Sequence, residues 1–210
     1  PNLVPLLDAG NADGGRPYFV MPLLRGETLR DRLRRDGRLS PTEACAVLMD
    51  VLSGLDAAHR AGVVHRDVKP ANVLLTKETA VVLDFGVAKI FDDGASDVTT
   101  GRHVVGTPRY LAPEQILGGR VDARTDVYGA GITLFEALTG RDPFGASGAM
   151  GQMRAHLHDT PSRVRDLALV SAELDQVCAR ALERFPGYRW TSAAAFGEAR
   201  DHRAFTRDEL

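Results

Sequence analysis

The sequence predicts an α+β fold, in which a few short strands precede a mostly helical body. Three observations carry this. Two short apolar segments, Leu3–Leu7 and Pro17–Met21, flank a polar, glycine-rich stretch, as the arms of a hairpin would. After Ser40 the apolar residues from Val47 to Ala58 recur at helical spacing, and the C-terminal part of the chain reads as further helices. The segment DVYGAGITLFEAL, Asp126 to Leu138, is apolar on most faces, which marks a helix buried in a core.

Each element has a local reason. DAGNADGG supplies the turn residues of the hairpin. GETLRDRLRRDGRL reads as a short basic helix. Ser40-Pro41-Thr42-Glu43 opens a longer one: the serine can cap, proline suits the first helical position, and Glu43 closes a capping box. Val47, Leu48, Val51, Leu52, Leu55 and Ala58 continue that helix, which should stop near Gly62. Short β segments are expected around Val63–Val64, Val73–Leu75 and Ala80–Leu83. Gly86 to Leu117 has little periodicity, and loops of that length are usually functional or disordered. After the core helix, further helices are expected over Ala149–His158, Ser171–Glu183 and Ser192–Phe205.

Composition narrows the function. A chain of 210 residues suits one domain or one large lobe. A net charge of -2 argues against a protein built around a nucleic-acid polyanion. No run approaches the roughly 18 apolar residues of a membrane helix, and no signal peptide is visible. Cys45 and Cys178 lack metal-ligand spacing and read as two buried thiols. The lysines are only Lys69, Lys77 and Lys89, whereas arginine is abundant.

Lys69 lies in the most informative stretch, VVHRDVKPANVLL, Val63 to Leu75, where a polar cluster sits between aliphatic runs. Asp67 and Asn72 share one loop, and Asp84 follows the strand that ends at Leu83. Asn72 and Asp84 offer the oxygen ligands that Mg²⁺ prefers, and such an ion is usually held by one or two carboxylates together with substrate phosphates. Asp67 is then left to accept a proton, and Lys69 to neutralise a moving phosphoryl group. Phosphoryl transfer asks the protein for positioning and charge stabilisation, which this set provides.

Singly, each residue has a duller explanation: a satisfied core histidine, a turn, an Asx loop. Their joint order decides otherwise. H-R-D-x-K-x-x-N is followed by D-F-G and then by A-P-E at Ala112 to Glu114, the protein-kinase signature set. The chain resembles a serine/threonine protein kinase, most of all the bacterial, eukaryotic-like (Hanks-type) kind. The resemblance implies a protein kinase-like fold: residues 1–24 a remnant of the small lobe and hinge, 25–210 the helical C-terminal lobe, 84–114 the activation segment. It implies ATP and Mg²⁺, with Mn²⁺ as a substitute, and protein substrates bearing Ser or Thr. Asp67 would be the catalytic base, Lys69 the contact to the transferred phosphate, and Asn72 with Asp84 the metal ligands. Thr107, in Gly106-Thr107-Pro108, would help seat the substrate hydroxyl. Met21 corresponds to the gatekeeper, Pro22 to Leu24 to the hinge that meets adenine, Val73 and Leu74 to the floor of the adenine pocket, and Thr28 to a ribose neighbour. Arg66 would pair with a phosphorylated activation loop, with Thr99 or Thr100 as the site of autophosphorylation, and a dimer would bring two copies together for it. His65 and Phe85 take structural places. Asp126 would hold the catalytic-loop backbone, and Glu114 would pair with Arg189.

Part of the family pattern is not found in these residues. No Gly-rich loop precedes a strand lysine, and no lysine at all precedes Lys69. The expectation is therefore a catalytic domain lacking most of its N-terminal lobe, impaired in ATP binding, with Leu3, Leu6, Tyr18, Val20 and Phe85 short of cover. A cytoplasmic location follows from the resemblance, with room for a parent tethered to a membrane through a segment outside this chain. Two other readings stay open: a non-catalytic docking or regulatory lobe, and a small-molecule phosphotransferase. The long activation segment and the A-P-E triplet speak against the latter.

Overall fold

The structure is a computed structural model, and it describes residues 2–12, 16–84 and 108–199. Phe85, Thr99, Thr100 and Thr107 lie outside the described residues, as does the end of the helix expected to reach Phe205.

The chain opens with an antiparallel pair, β1 (Asp8–Ala12) and β2 (Arg16–Val20), with Asp8 opposite Val20 and Ala12 opposite Arg16. The expected first strand, Leu3–Leu7, is therefore displaced, and DAGNA forms it instead of the turn. The cause lies in the backbone. Pro5 has no N–H to give a ladder, and the residues before it are engaged elsewhere. The Val82 N–H donates to the Asn2 carbonyl at 2.9 Å, and Leu3 bridges Val82 in parallel fashion. Leu3 consequently packs against the core, whereas Leu6, Tyr18 and Val20 are exposed as expected.

Three further strands, β3 (Glu27–Thr28), β4 (Val73–Leu75) and β5 (Ala80–Val82), form an antiparallel sheet in that order. No strand forms at Val63–Val64. The Val63 N–H closes the preceding helix on the Ala58 carbonyl at 3.0 Å, and the N–H groups of His65 and Arg66 go to the Asp126 side chain. Three of the four N–H donors from Val63 to Arg66 are thus engaged outside any ladder.

Among the described residues there are seven α-helices. α1 (Leu29–Asp36) is capped by the Thr28 hydroxyl, which accepts from the Asp31 N–H, and it ends at Gly37 with φ of 81°. α2 (Pro41–Arg60) carries the expected capping box between Ser40 and Glu43, and Gly62 (φ 76°) follows its last turn. After α3 (Pro113–Ile116) comes α4 (Ala123–Thr139), capped by Asp122 and closed by Gly140 in the left-handed region. The remaining helices are α5 (Gly148–His158), α6 (Ala172–Ala181) and α7 (Ala193–Glu198).

α4 is the centre. Thr125 through Phe135 are all buried, and α2, α6 and α7 pack around it. A helix buried on every face cannot tilt without opening contacts on another side, so it is a rigid base for whatever loop rests on it. The loop on it is HRDVKPAN. A Cβ on Gly129 would lie 2.9 Å from both the Cβ and the carbonyl oxygen of Val68, so only glycine lets the loop sit directly on the helix. Cys45 and Cys178 are buried and not disulfide-bonded. No described helix is long and apolar enough to cross a membrane.

Candidate active site

The loop from His65 to Asn72 is held from below by Asp126, in the first turn of α4. Its side chain is fully buried and accepts three hydrogen bonds. Oδ2 takes the His65 N–H at 2.8 Å and His59 Nε2 at 2.7 Å; Oδ1 takes the Arg66 N–H at 2.8 Å. Asp126, expected to hold the loop backbone, thus accepts from two consecutive N–H groups of that loop. His59, in the last turn of α2, was not singled out from sequence. A histidine at the end of an amphipathic helix, six residues before H-R-D, gives no sign of facing a buried carboxylate.

His65 is buried and wired into the loop. Its Nδ1 accepts the Asp67 N–H at 3.2 Å, and its Nε2 lies 2.8 Å from the Leu83 carbonyl oxygen. The two contacts together place the ring proton on Nε2. One imidazole thus ties the residue bearing the candidate base to the end of β5.

Arg66 has φ of 66°, in the region that side chains rarely adopt. Such a conformation costs about 1–3 kcal/mol and persists where the surroundings over-determine it. Here both backbone groups are clamped: the N–H by Asp126, and the carbonyl by Gln115 Nε2 at 2.8 Å. Gln115 Oε1 meanwhile accepts the Ala112 N–H at 3.0 Å. Gln115 is a second residue missed from sequence, hidden behind A-P-E. It joins the A-P-E segment to the HRDVKPAN loop. Among the described residues the Arg66 guanidinium has no ion-pair partner.

On this frame Asp67, Lys69 and Asn72 converge. Lys69 Nζ lies 2.7 Å from Asp67 Oδ2. Asn72 Nδ2 donates to the same oxygen at 3.0 Å and to the Asp67 carbonyl at 2.9 Å. Both donors thus converge on one carboxylate oxygen and leave Oδ1 to take a proton. Asn72 is buried, and its amide oxygen makes no hydrogen bond among the described residues. The Leu83 N–H donates to the Asn72 carbonyl at 2.8 Å, so Asp84 comes one residue after the point where the two segments meet. Asp84 is exposed, with φ of 50°. An amide oxygen and a carboxylate are hard donors of the kind a Mg²⁺ ion takes.

The remaining expected residues are spread along the adjoining edge. Val73 is buried opposite Val82, Leu74 is half-buried opposite Val81, and Thr28 pairs with Leu74. The Thr28 hydroxyl is engaged by Asp31, donating to Oδ2 at 2.6 Å. Met21 is exposed, and Pro22 and Leu24 are half-buried, in irregular chain between β2 and β3.

Further away, Glu114 and Arg189 form a buried bidentate pair at 2.7 and 2.8 Å. Arg189 also donates to the carbonyls of Glu183, Arg124 and Arg184, and Thr125 donates to Glu114 at 2.7 Å. Burial alone would raise the Glu114 carboxyl. The hydrogen bonds and charge of Arg189, with the Thr125 hydroxyl, outweigh it and hold the group below the usual carboxylate range.

The protein kinase domain profile matches residues 1–202. The chain belongs to the protein kinase domain family. It is 41% identical over 199 residues to serine/threonine-protein kinase PknB of Mycolicibacterium smegmatis, covering 92% of this chain and 32% of that protein. It is 39% identical to the probable serine/threonine-protein kinase PknB of Bifidobacterium longum, covering 93% of this chain and 30% of that one. The crystal structure of the M. tuberculosis PknI kinase domain superposes with a TM-score of 0.75 at 28% identity, over 96% of this chain and 71% of that chain. The kinase-like α+β fold expected from the sequence is thus the fold found. The chain spans about a third of the length of the curated relatives it matches.

Proposed function

We propose that the protein transfers the γ-phosphoryl group of ATP to Ser or Thr hydroxyls of proteins. The observation that carries this is the three-residue constellation of Asp67, Lys69 and Asn72, held on a clamped loop over a buried helix, in a chain about 40% identical to bacterial serine/threonine kinases.

In the reaction, Asp67 accepts the proton of the acceptor hydroxyl. The hydroxyl oxygen bonds to the γ-phosphorus as the bond from phosphorus to the β–γ bridging oxygen breaks, and ADP departs with that oxygen. The Lys69 ammonium, already beside Asp67, carries charge that can follow the phosphoryl group across. Asn72 holds the base through its amide N–H. Asn72 and Asp84 are the residues that would hold Mg²⁺, or Mn²⁺ in its place, which when bound neutralises phosphate charge. Val73 and Leu74 supply an apolar floor for adenine, with Met21, Pro22, Leu24 and Thr28 at its edge. Thr107 seats the acceptor, and phosphorylation at Thr99 or Thr100, between two copies, supplies a partner for Arg66. ATP places the reaction in the cytoplasm.

The 210-residue chain alone should bind Mg-ATP weakly. No lysine stands before Lys69 to meet the α- and β-phosphates, and Tyr18 and Val20 of the hairpin, with Leu6 before it, are exposed. The test is to incubate the complete gene product containing this chain with ATP, Mg²⁺ and a Ser/Thr peptide library, and to locate phosphate by mass spectrometry. Phosphoserine or phosphothreonine in the peptides supports the proposal. ATP-independent binding of a partner with no phosphate transfer would favour the docking-lobe reading instead.

A further inference from the structure

A cleft of about 350 Å³ is bordered by Lys69, the ion-pair partner of the candidate base. Lys69 and Ala71 of the catalytic loop form one wall, Arg30 and Arg34 of α1 another, and Arg109 and Glu136 a third. Four cations and one carboxylate therefore border it. Two of the cations are already answered. Lys69 pairs with Asp67, and Arg109 binds Asp142 at 2.7 Å and lies 3.5 Å from Glu136. Glu136 is further engaged by the Tyr110 hydroxyl at 2.6 Å.

Arg30 and Arg34 are different. They stand four residues apart, on one face of α1. The arginines on its other face, Arg32 and Arg35, are taken by Glu27, Asp36 and Glu43. Arg34 reaches only Asp31, at 3.9 Å with both side chains largely exposed, and Arg30 has no ion-pair partner among the described residues. The loop contributes a methyl group, Ala71, where a carboxylate would have balanced them.

We infer that this cleft selects protein substrates carrying acidic residues, Asp, Glu or a phosphorylated side chain, within a few residues of the acceptor hydroxyl, with Arg30 and Arg34 as the specificity-determining residues. The inference rests on the kinase reading and deepens it. The chain's own sequence fits the preference. Asp92, Asp93 and Asp97 precede Thr99 and Thr100 in DDGASDVTT, so the candidate autophosphorylation segment is itself an acidic substrate.

The test uses the complete gene product with ATP and Mg²⁺, and two peptides: DDGASDVTTG, and the same sequence with its three aspartates replaced by asparagine. kcat/KM for the acidic peptide should exceed that for the neutral one by about 2- to 30-fold, the sum of two exposed charge pairs, and the ratio should shrink with added salt. In Arg30→Glu/Arg34→Glu the ratio should fall below one; the milder Arg30→Ala/Arg34→Ala pair should bring it close to one. Equal use of both peptides by the unaltered protein overturns the cleft assignment and leaves the kinase reading standing. A preference that survives both double variants overturns it as well. Phosphorylation of neither these peptides nor a Ser/Thr library would remove the kinase reading, and the inference with it.

Discussion

Asp126→Asn is the change that should separate the clamp from the chemistry. The aspartate accepts three hydrogen bonds through two oxygens; asparagine has one oxygen. In the cheaper orientation that oxygen stays with His59 and the His65 N–H, and the new NH₂ faces the Arg66 N–H. One buried backbone donor is then orphaned, at about 1–3 kcal/mol, and two charge-assisted bonds become neutral, at about 1 kcal/mol each. The sum is about 3–5 kcal/mol, against a total stability of about 5–15 kcal/mol for an ordinary domain. The variant should fold, with a clearly lower urea midpoint. Arg66 then loses one of the two clamps that hold its left-handed backbone, and Asp67 is the next residue. A displacement of about 1 Å at a reacting group costs on the order of 10²-fold in rate. Urea denaturation followed by circular dichroism, with kcat measured on the complete gene product, checks both parts. Stability within about 1 kcal/mol of the unaltered protein and kcat within a few-fold would refute the clamp.

Three other outcomes follow from the same contacts. Arg189→Met should destabilise the fold by about 3–5 kcal/mol in urea denaturation, because it strands the Glu114 carboxylate in a buried site; Glu114→Leu added to it should recover part of that loss. The depressed Glu114 carboxyl adds stability that is full above the unfolded carboxylate value, about 4.3, and is lost as pH falls through the lower folded value. Urea stability of the unaltered chain should therefore decline more steeply below about pH 4.3 than that of Glu114→Gln. Gln115→Glu keeps an acceptor for the Ala112 N–H but loses the donor to the Arg66 carbonyl, so kcat should fall about 10-fold with little change in KM for ATP, as steady-state kinetics would show.

Much of this was legible in the sequence because the informative residues act locally. The capping box at Ser40 and Glu43, the buried run from Asp126 to Leu138, and the loop bearing Asp67, Lys69 and Asn72 each declare themselves within a few positions. The pairings of Asp126 with the loop backbone and of Glu114 with Arg189 came from the family resemblance, since residues some 60 to 75 apart leave no spacing to read. The displaced first strand went unforeseen because DAGNA has poor strand propensity; it becomes a strand only because Leu3 and Asn2 are drawn onto Val82 and Pro5 cannot pair. His59 and Gln115 were missed for a related reason. Their roles depend on which way a side chain faces once two distant segments have packed, and a single His or Gln carries no period. The arginines of α1 looked alike in sequence, and only the fold divides them into a paired face and an unpaired one.

The most direct measurement is the rate of phosphate transfer from ATP to a Ser/Thr peptide by the complete gene product, with and without Asp67→Asn. The substitution keeps the size and the hydrogen-bonding contacts of the side chain but removes the base. A rate reduced by about 10²–10⁴-fold, with the peptide still bound, is the predicted result. An asparagine variant as fast as the unaltered protein, or an unaltered protein that transfers no phosphate, would contradict the assignment of Asp67 and the activity built on it.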